Sequence, residues 1–217
     1  MNKAKISKGL IIDLRGNSGG ERKIISVLLP YFTNKKVHVS AIGRCRLFPK
    51  CQLKTRNMFK LSNSKFSKDE KVAIKKFLIN FDEKVPFYDQ TKFSDYYFLL
   101  STKSDYHYHY DMEVVIIGDN RIFSAADVFL NAMKSFEKVK YMGFPFSGGS
   151  GAKRRYKLKN TRVKFYLSRM ISLKRSGEMF ERKTTLSDIK TKVTPGYFLK
   201  TSEDSILLQA LKNFHHP

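Results

Sequence analysis

The chain has 217 residues, 41% hydrophobic and 28% charged, with 42 Lys and Arg against 19 Asp and Glu, a formal net charge of +23. This length and apolar content exclude a disordered chain and fit one domain with a substantial core, or at most two small ones. Apolar runs interrupted by Asp13, Pro30 and Asn131 are too short to cross a bilayer, so no transmembrane segment is expected. The start, "MNKAKISKGLIIDL", has too few apolar residues before Asp13 for an export signal.

In chain order, "GLIIDL" at Gly9 to Leu14 reads as a buried strand and "RGNSGG" at Arg15 to Gly20 as a glycine-rich turn. "ERKIISVLLPYF" then reads as a helix with Ile24, Ile25, Leu28 and Phe32 on its apolar face. "KVHVSAI" at Lys36 to Ile42 alternates like a second strand. Cys45 and Cys51 follow in a basic, loop-like stretch and read as two free thiols.

The region from about Arg44 to Met112 is polar and poorly patterned, and reads as an insertion on a single core. It contains one helix, announced by a capping box of Ser67 and Glu70 and an apolar stripe of Ile74, Phe77, Leu78 and Phe81. "EVVIIG" is a third strand and "KVKYMG" a fourth. Between them, Val128, Phe129, Ala132, Met133 and Phe136 share one side of a helix that begins after Ser124. A hairpin is expected to turn at Ser176 and Gly177. The last helix spans about Glu203 to Phe214, with Leu207, Ala210, Leu211 and Phe214 inward. Strands alternating with helices predict an α/β domain.

Ser124 lies where a strand hands over to a helix. Ser is a favoured N-cap, so capping alone accounts for it. The same position also suits a nucleophile, because the free N–H groups of a helix N-terminus can hold an oxyanion. The glycines Gly16, Gly19 and Gly20 lack dinucleotide-fingerprint spacing, and the turn has no P-loop lysine, so no cofactor is expected. "DYHYHYD" places Asp105, His107, His109 and Asp111 on one side if extended, but ligands at i and i+2 rarely converge, so no metal is assigned.

"LIIDLRGNSGG" resembles the signature strand and turn of the C-terminal processing (tail-specific) serine peptidases, and "NRIFSAAD" resembles their nucleophile motif with Asp127 in place of the usual Glu. "VKYMGFPFSGGSG" matches a third motif in place and glycine pattern; "SGEMFE" and "KVTPG" match a fourth loosely. The order agrees from about Lys8 to Phe214.

The resemblance implies a crotonase/ClpP-like α/β fold with a long insertion and a C-terminal helix. It implies Ser124 as nucleophile, with an oxyanion hole formed by the amide of Ala125 and a glycine of the Gly19–Gly20 turn. Glu181 matches a catalytic Glu of the tricorn-like branch. The substrate implied is a peptide or unfolded protein. Gly149 stands where one branch has a lysine base. The histidine of the tricorn-like branch belongs upstream of the "LIIDLRGN" strand, so the chain is expected to resemble the C-terminal half of the catalytic region, its base supplied by an upstream polypeptide. The family is commonly exported.

Three functional expectations follow. The first is a serine endopeptidase core, and the second a silent family member that binds peptides or other ligands in the same cleft. The third is a nucleic-acid-binding protein, since residues 153 to 192 hold 14 basic and 3 acidic residues. Against the third, "TRVKFYLSR" alternates like an ordinary half-buried strand, with Val163, Phe165 and Leu167 on one face.

Overall fold

A computed structural model describes residues 7–33, 36–46, 58–79, 93–102, 110–151, 153–168, 170–181, 183–192, 197–198 and 203–214. Phe81, Cys51, His107, His109, His215 and His216 fall outside the described residues. The chain forms two compact units: 1–37 with 102–148 and 184–217, and 38–101 with 149–183.

The first unit is built on three parallel strands: β1 (Gly9–Asp13), β5 (Glu113–Gly118) and β6 (Val139–Gly143), in the order β1-β5-β6. The central strand carries "VVII", the continuous apolar run of a strand buried on both faces. On one face Ile11, Val115, Ile117 and Met142 pack under helix α4 (Ser205–Lys212), which contributes Ile206 and Ala210. The other face carries Ile12 and Leu14, which line a cavity with helices α1 (Lys23–Leu28) and α3 (Ala125–Met133). Strand, helix and strand therefore alternate as expected, and the α/β class is observed. The open edge of β6 is covered by the segment at Asp188, whose amide donates to the Tyr141 carbonyl (2.8 Å) while its carboxylate accepts from the Tyr141 amide (2.8 Å).

Two expected faces differ from the observed ones. In α1, Ile25 is buried but Ile24 and Leu28 are 53% and 37% exposed, because both border the open cavity. Pro30 then tightens the chain into a 3₁₀ turn, Leu29–Tyr31, which swings Leu29 into the core. In α4, Ile206 and Ala210 face the sheet while Leu211 faces solvent. The cap explains the phase: Asp204 accepts from the Leu207 amide (3.1 Å) and sets where the first turn points.

The second unit is an antiparallel sheet in the order β3-β4-β2-β9 (Phe59–Lys60, Phe93–Ser101, His38–Arg46, Met170–Leu173). Helix α2 (Lys68–Ile79) packs on it through Ile74 and Phe77, against Phe66, Tyr97 and Leu173. Its capping box is formed on both sides: the Glu70 amide donates to Ser67 Oγ (3.2 Å) and the Ser67 amide to Glu70 Oε2 (2.9 Å). After β9 the chain reverses at Gly177, whose positive φ of 87° suits the expected turn. A separate ribbon pairs β7 (Lys153–Lys157) with β8 (Lys164–Ser168). Here the expectation of a half-buried strand fails. Every residue of β8 is exposed, so its alternation marks a strand but not a buried face.

Candidate active site

All three strands of the parallel sheet end at one edge, and the loops leaving them meet there. The first is the Arg15–Gly20 turn, and the second runs from Asp119 to Ser124 into α3. Asn17 ties them together. Its carbonyl accepts from the Phe123 amide (3.2 Å), and its Oδ1 accepts from the Gly19 amide (2.9 Å).

Asp119 makes the second tie. Its Oδ1 accepts from the amides of Gly16 and Arg121, both at 3.0 Å, and its Oδ2 from the Arg121 guanidinium (2.7 and 2.9 Å). Burial alone raises the pKa of such a carboxyl; the bonds from Gly16 and Arg121 outweigh it and hold Asp119 below its ordinary value. Neither Asn17 nor Asp119 was singled out from sequence. The signal lay in the "DN" that ends the β5 run, a turn-forming pair whose side chains bond nearby amides.

Ser124 is the N-cap of α3, yet its side chain makes no capping hydrogen bond. Its backbone (φ 56°, ψ −122°) gives it the single positive φ among described non-glycine residues. Such geometry costs about 1–3 kcal/mol and persists only where the surroundings enforce it. The chain that passes closest is at Gly19, itself at φ 100°, whose missing side chain leaves room for the approach. A Cβ there would stand 2.7 Å from Ser124 Cβ and 2.8 Å from the Ala125 nitrogen. The serine and the glycine turn are therefore in contact.

The neighbouring glycine differs, since a Cβ on Gly20 would meet nothing within 4 Å. Beyond the turn lies a cavity of about 390 Å³ walled by Gly19, Gly20, Ala125, Ala126, Phe129 and Leu28. Asp127, in the first turn of α3, is buried and accepts from Asn131 Nδ2 at 2.6 Å.

Arg15 braces the same edge. Its guanidinium donates to Asp13 (2.7 Å) and to Asp204 (2.9 Å), the cap of α4. The bonds to Asp13 and then Asp204 raise its pKa far beyond any titration range; in return Arg15 holds Asp204 below the ordinary carboxylate value.

Glu181 belongs to the second unit, as do Lys153 and His38. Glu181 accepts through Oε1 from the amides of Ser150 (3.0 Å) and Gly151 (2.9 Å), so it fastens the glycine loop. Lys153 Nζ lies 5.2 Å from the centroid of the Tyr166 ring. His38 Nδ1 is 3.1 Å from Ser101 Oγ. No histidine stands among the described residues of the first unit. Among the described residues no metal-holding cluster occurs, and no helix is long and apolar enough to cross a membrane.

Fold and geometry together define an α/β protein in which a serine at the start of a helix faces a glycine turn. Residues 1–191 match Peptidase family S41, and the chain belongs to that family. Its fold is similar to that of a peptidase candidate from Parabacteroides merdae ATCC 43184 (18% identity, TM-score 0.65, covering 97% of this chain and 53% of that one). It is also similar to mature CPAF complexed with lactacystin (16%, 0.60, 97% and 45%). A third similar structure is the photosystem II D1 C-terminal processing protease (13%, 0.52, 94% and 39%). The chain thus spans between 39% and 53% of the length of these structures. No curated protein matches it.

Asp119→Asn is expected to loosen both turns, at a cost of about 1.5–3 kcal/mol for bonds to a charged acceptor. The wild-type pH profile carries the sign. A carboxyl whose folded pKa is depressed contributes its full stability above the ordinary carboxylate range, and loses it as pH falls through the lowered value. Urea melts at stepped acidic pH should show the gap between wild type and variant closing in that window. A constant gap would show that the Asp119 charge is not involved.

Proposed function

We propose that the chain carries the nucleophile side of a serine peptidase site. The observation that carries this reading is Ser124 itself: strained, uncapped, at the first turn of α3 and pressed against Gly19. In this reading Ser124 Oγ attacks a peptide carbonyl, the C–N bond breaks to release an amine, and water hydrolyses the resulting ester. The oxyanion is held by the amide of Ala125, at the start of the helix, and by that of Gly20. Gly19 plays a different part, because its own amide is engaged by Asn17 and its missing side chain permits the close approach. The cavity walled by Ala125, Ala126 and Phe129 would receive an apolar side chain of the substrate.

A serine hydroxyl is a weak nucleophile without a base to take its proton. No histidine stands among the described residues of its unit, and an upstream polypeptide supplying the base is part of this reading. Glu181 fastens the Ser150–Gly151 loop of the second unit. General-base assistance is worth ~10²–10⁴-fold, so turnover follows the base that reaches Ser124 Oγ.

The test is labelling by a fluorophosphonate probe, alongside hydrolysis of an unstructured peptide, for wild type and Ser124→Ala. Slow labelling of the wild type and none of the variant is expected. Labelling that survives the substitution would overturn the assignment. Peptide binding without any labelling would favour a silent binding member of the family.

A further inference from the structure

The β7–β8 ribbon carries seven Lys and Arg and no Asp or Glu over residues 153–168. Both strands are exposed throughout, apart from the half-buried Tyr156. The register pairs Arg155 with Tyr166 and Lys157 with Lys164, which places these four and Lys153 on one face. On the reverse, Tyr156 stacks on Phe165 at 5.4 Å and 16°. Leu167, Leu158 and Val163 continue that face. Leu158, Val163, Phe165 and Leu167 keep 46%, 54%, 37% and 41% of their surface exposed. Arg154, opposite Leu167, shares that face and lies over the Tyr156 ring (5.6 Å to its centroid), so the ribbon has one cationic face and one largely apolar face, and solvent reaches both.

We propose that this ribbon docks the protein on an anionic lipid surface, its apolar face at the headgroup boundary and its cations on lipid phosphates. A contiguous exposed apolar patch marks an interaction site, and seven cations with no acidic residue beside them on the ribbon attract an anionic partner. A membrane interface supplies both chemistries at once. A nucleic acid supplies phosphates and bases to stack on the rings, but nothing for Leu158, Val163 and Leu167. A second copy of the chain would bring another +23. Among the described residues the ribbon has two strands, so the long Lys and Arg stems can reach past its edges toward the headgroups. Five residues extend roughly 16 Å, against a hydrocarbon core of about 30 Å, so the ribbon lies in the interface and does not span it.

The chain has no Trp. Phe165→Trp therefore gives a single Trp, excited apart from the tyrosines at the red edge of absorption, on the apolar face. Its emission is expected to shift to the blue with vesicles of phosphatidylcholine plus phosphatidylserine, but not with phosphatidylcholine alone. In flotation assays Lys157→Gln/Lys164→Gln should weaken partitioning about 25-fold, from roughly fivefold per cation near the surface. Leu158→Ser/Val163→Ser, which leaves the charge unchanged, should weaken it about tenfold.

The charge-matched Lys75→Gln/Lys76→Gln, on exposed positions of α2, should change it less than about twofold. Circular dichroism checks that each variant folds. An unshifted spectrum would overturn the proposal, as would a control as weak as the ribbon variants, which would reduce the effect to net charge. Binding of duplex DNA that depends on Lys157 and Lys164, without vesicle binding, would overturn it in favour of nucleic acid.

Discussion

Gly19→Ala is expected to cost the parallel-sheet unit about 2–4 kcal/mol, whereas Gly20→Ala, one residue on, should change stability by less than about 0.5 kcal/mol. The two glycines are neighbours, but their surroundings are opposite. A methyl group on Gly19 would fall 2.7 Å from the Phe123 carbonyl oxygen and from Ser124 Cβ. The oxygen is backbone and cannot swing aside. The positive φ of 100° adds the strain of a left-handed conformation on a residue with a Cβ. Gly20 has open space on that side and no such backbone requirement. In a chain of this size the Gly19 change should lower Tm by roughly 5–15 °C.

Calorimetry of the two variants measures this difference. Equal melting temperatures would mean that the turn and Ser124 are not pressed together, and the nucleophile reading would lose its main support. Where stability permits, Gly19→Ala should also lose probe labelling, since the methyl group displaces Ser124 itself. Gly20→Ala should keep it, because the amide assigned to the oxyanion is retained.

Much of this arrangement was legible in the residues, and the reasons vary by element. The run in β5 is continuous and apolar and is buried as expected, whereas β1 pairs with it as a parallel strand but, at the sheet's edge, is only half-buried. The α2 cap was legible because Ser67 and Glu70 need only each other. Ser124 was found from the motif around it, but its backbone strain was not visible. A φ of 56° is imposed by what packs on the residue, not by the residue.

Asp119 was missed for a related reason. It holds Gly16, 103 positions earlier, and a polar residue in a loop carries no sign of which loop will meet it. The β7–β8 alternation and the α1 stripe failed in the same way. Periodicity reports which residues share a face, but not whether anything covers it: Phe165 and Ile24 have the spacing of core residues and stand at open surface. The misses therefore gather at the turn contacts, the cavity and the ribbon, where the surroundings rather than local propensity decide the outcome.

Ser124→Gly separates the two roles that a serine can have at this position. Were the residue a structural cap, its side-chain oxygen would bond a first-turn amide, and Ser124→Ala would cost about 1 kcal/mol. No such bond exists, so Ser124→Ala is expected to alter stability by less than about 0.5 kcal/mol. Glycine goes further. It relieves the Cβ strain of a positive φ, worth about 1–2 kcal/mol, and gives back part of that through its greater freedom in the unfolded chain. Ser124→Gly should therefore be more stable than Ser124→Ala by about 1 kcal/mol, a rise in Tm of roughly 2–4 °C.

Both variants should lose fluorophosphonate labelling completely, because neither retains an oxygen to be phosphonylated. A protein that becomes more stable when its serine is removed was holding that serine in place at a cost, as expected where a nucleophile must project from a helix start. Thermal melts of the two purified variants decide the matter. A Ser124→Gly protein less stable than Ser124→Ala would show that the backbone there is relaxed, and that Ser124 sits at the start of α3 for capping after all.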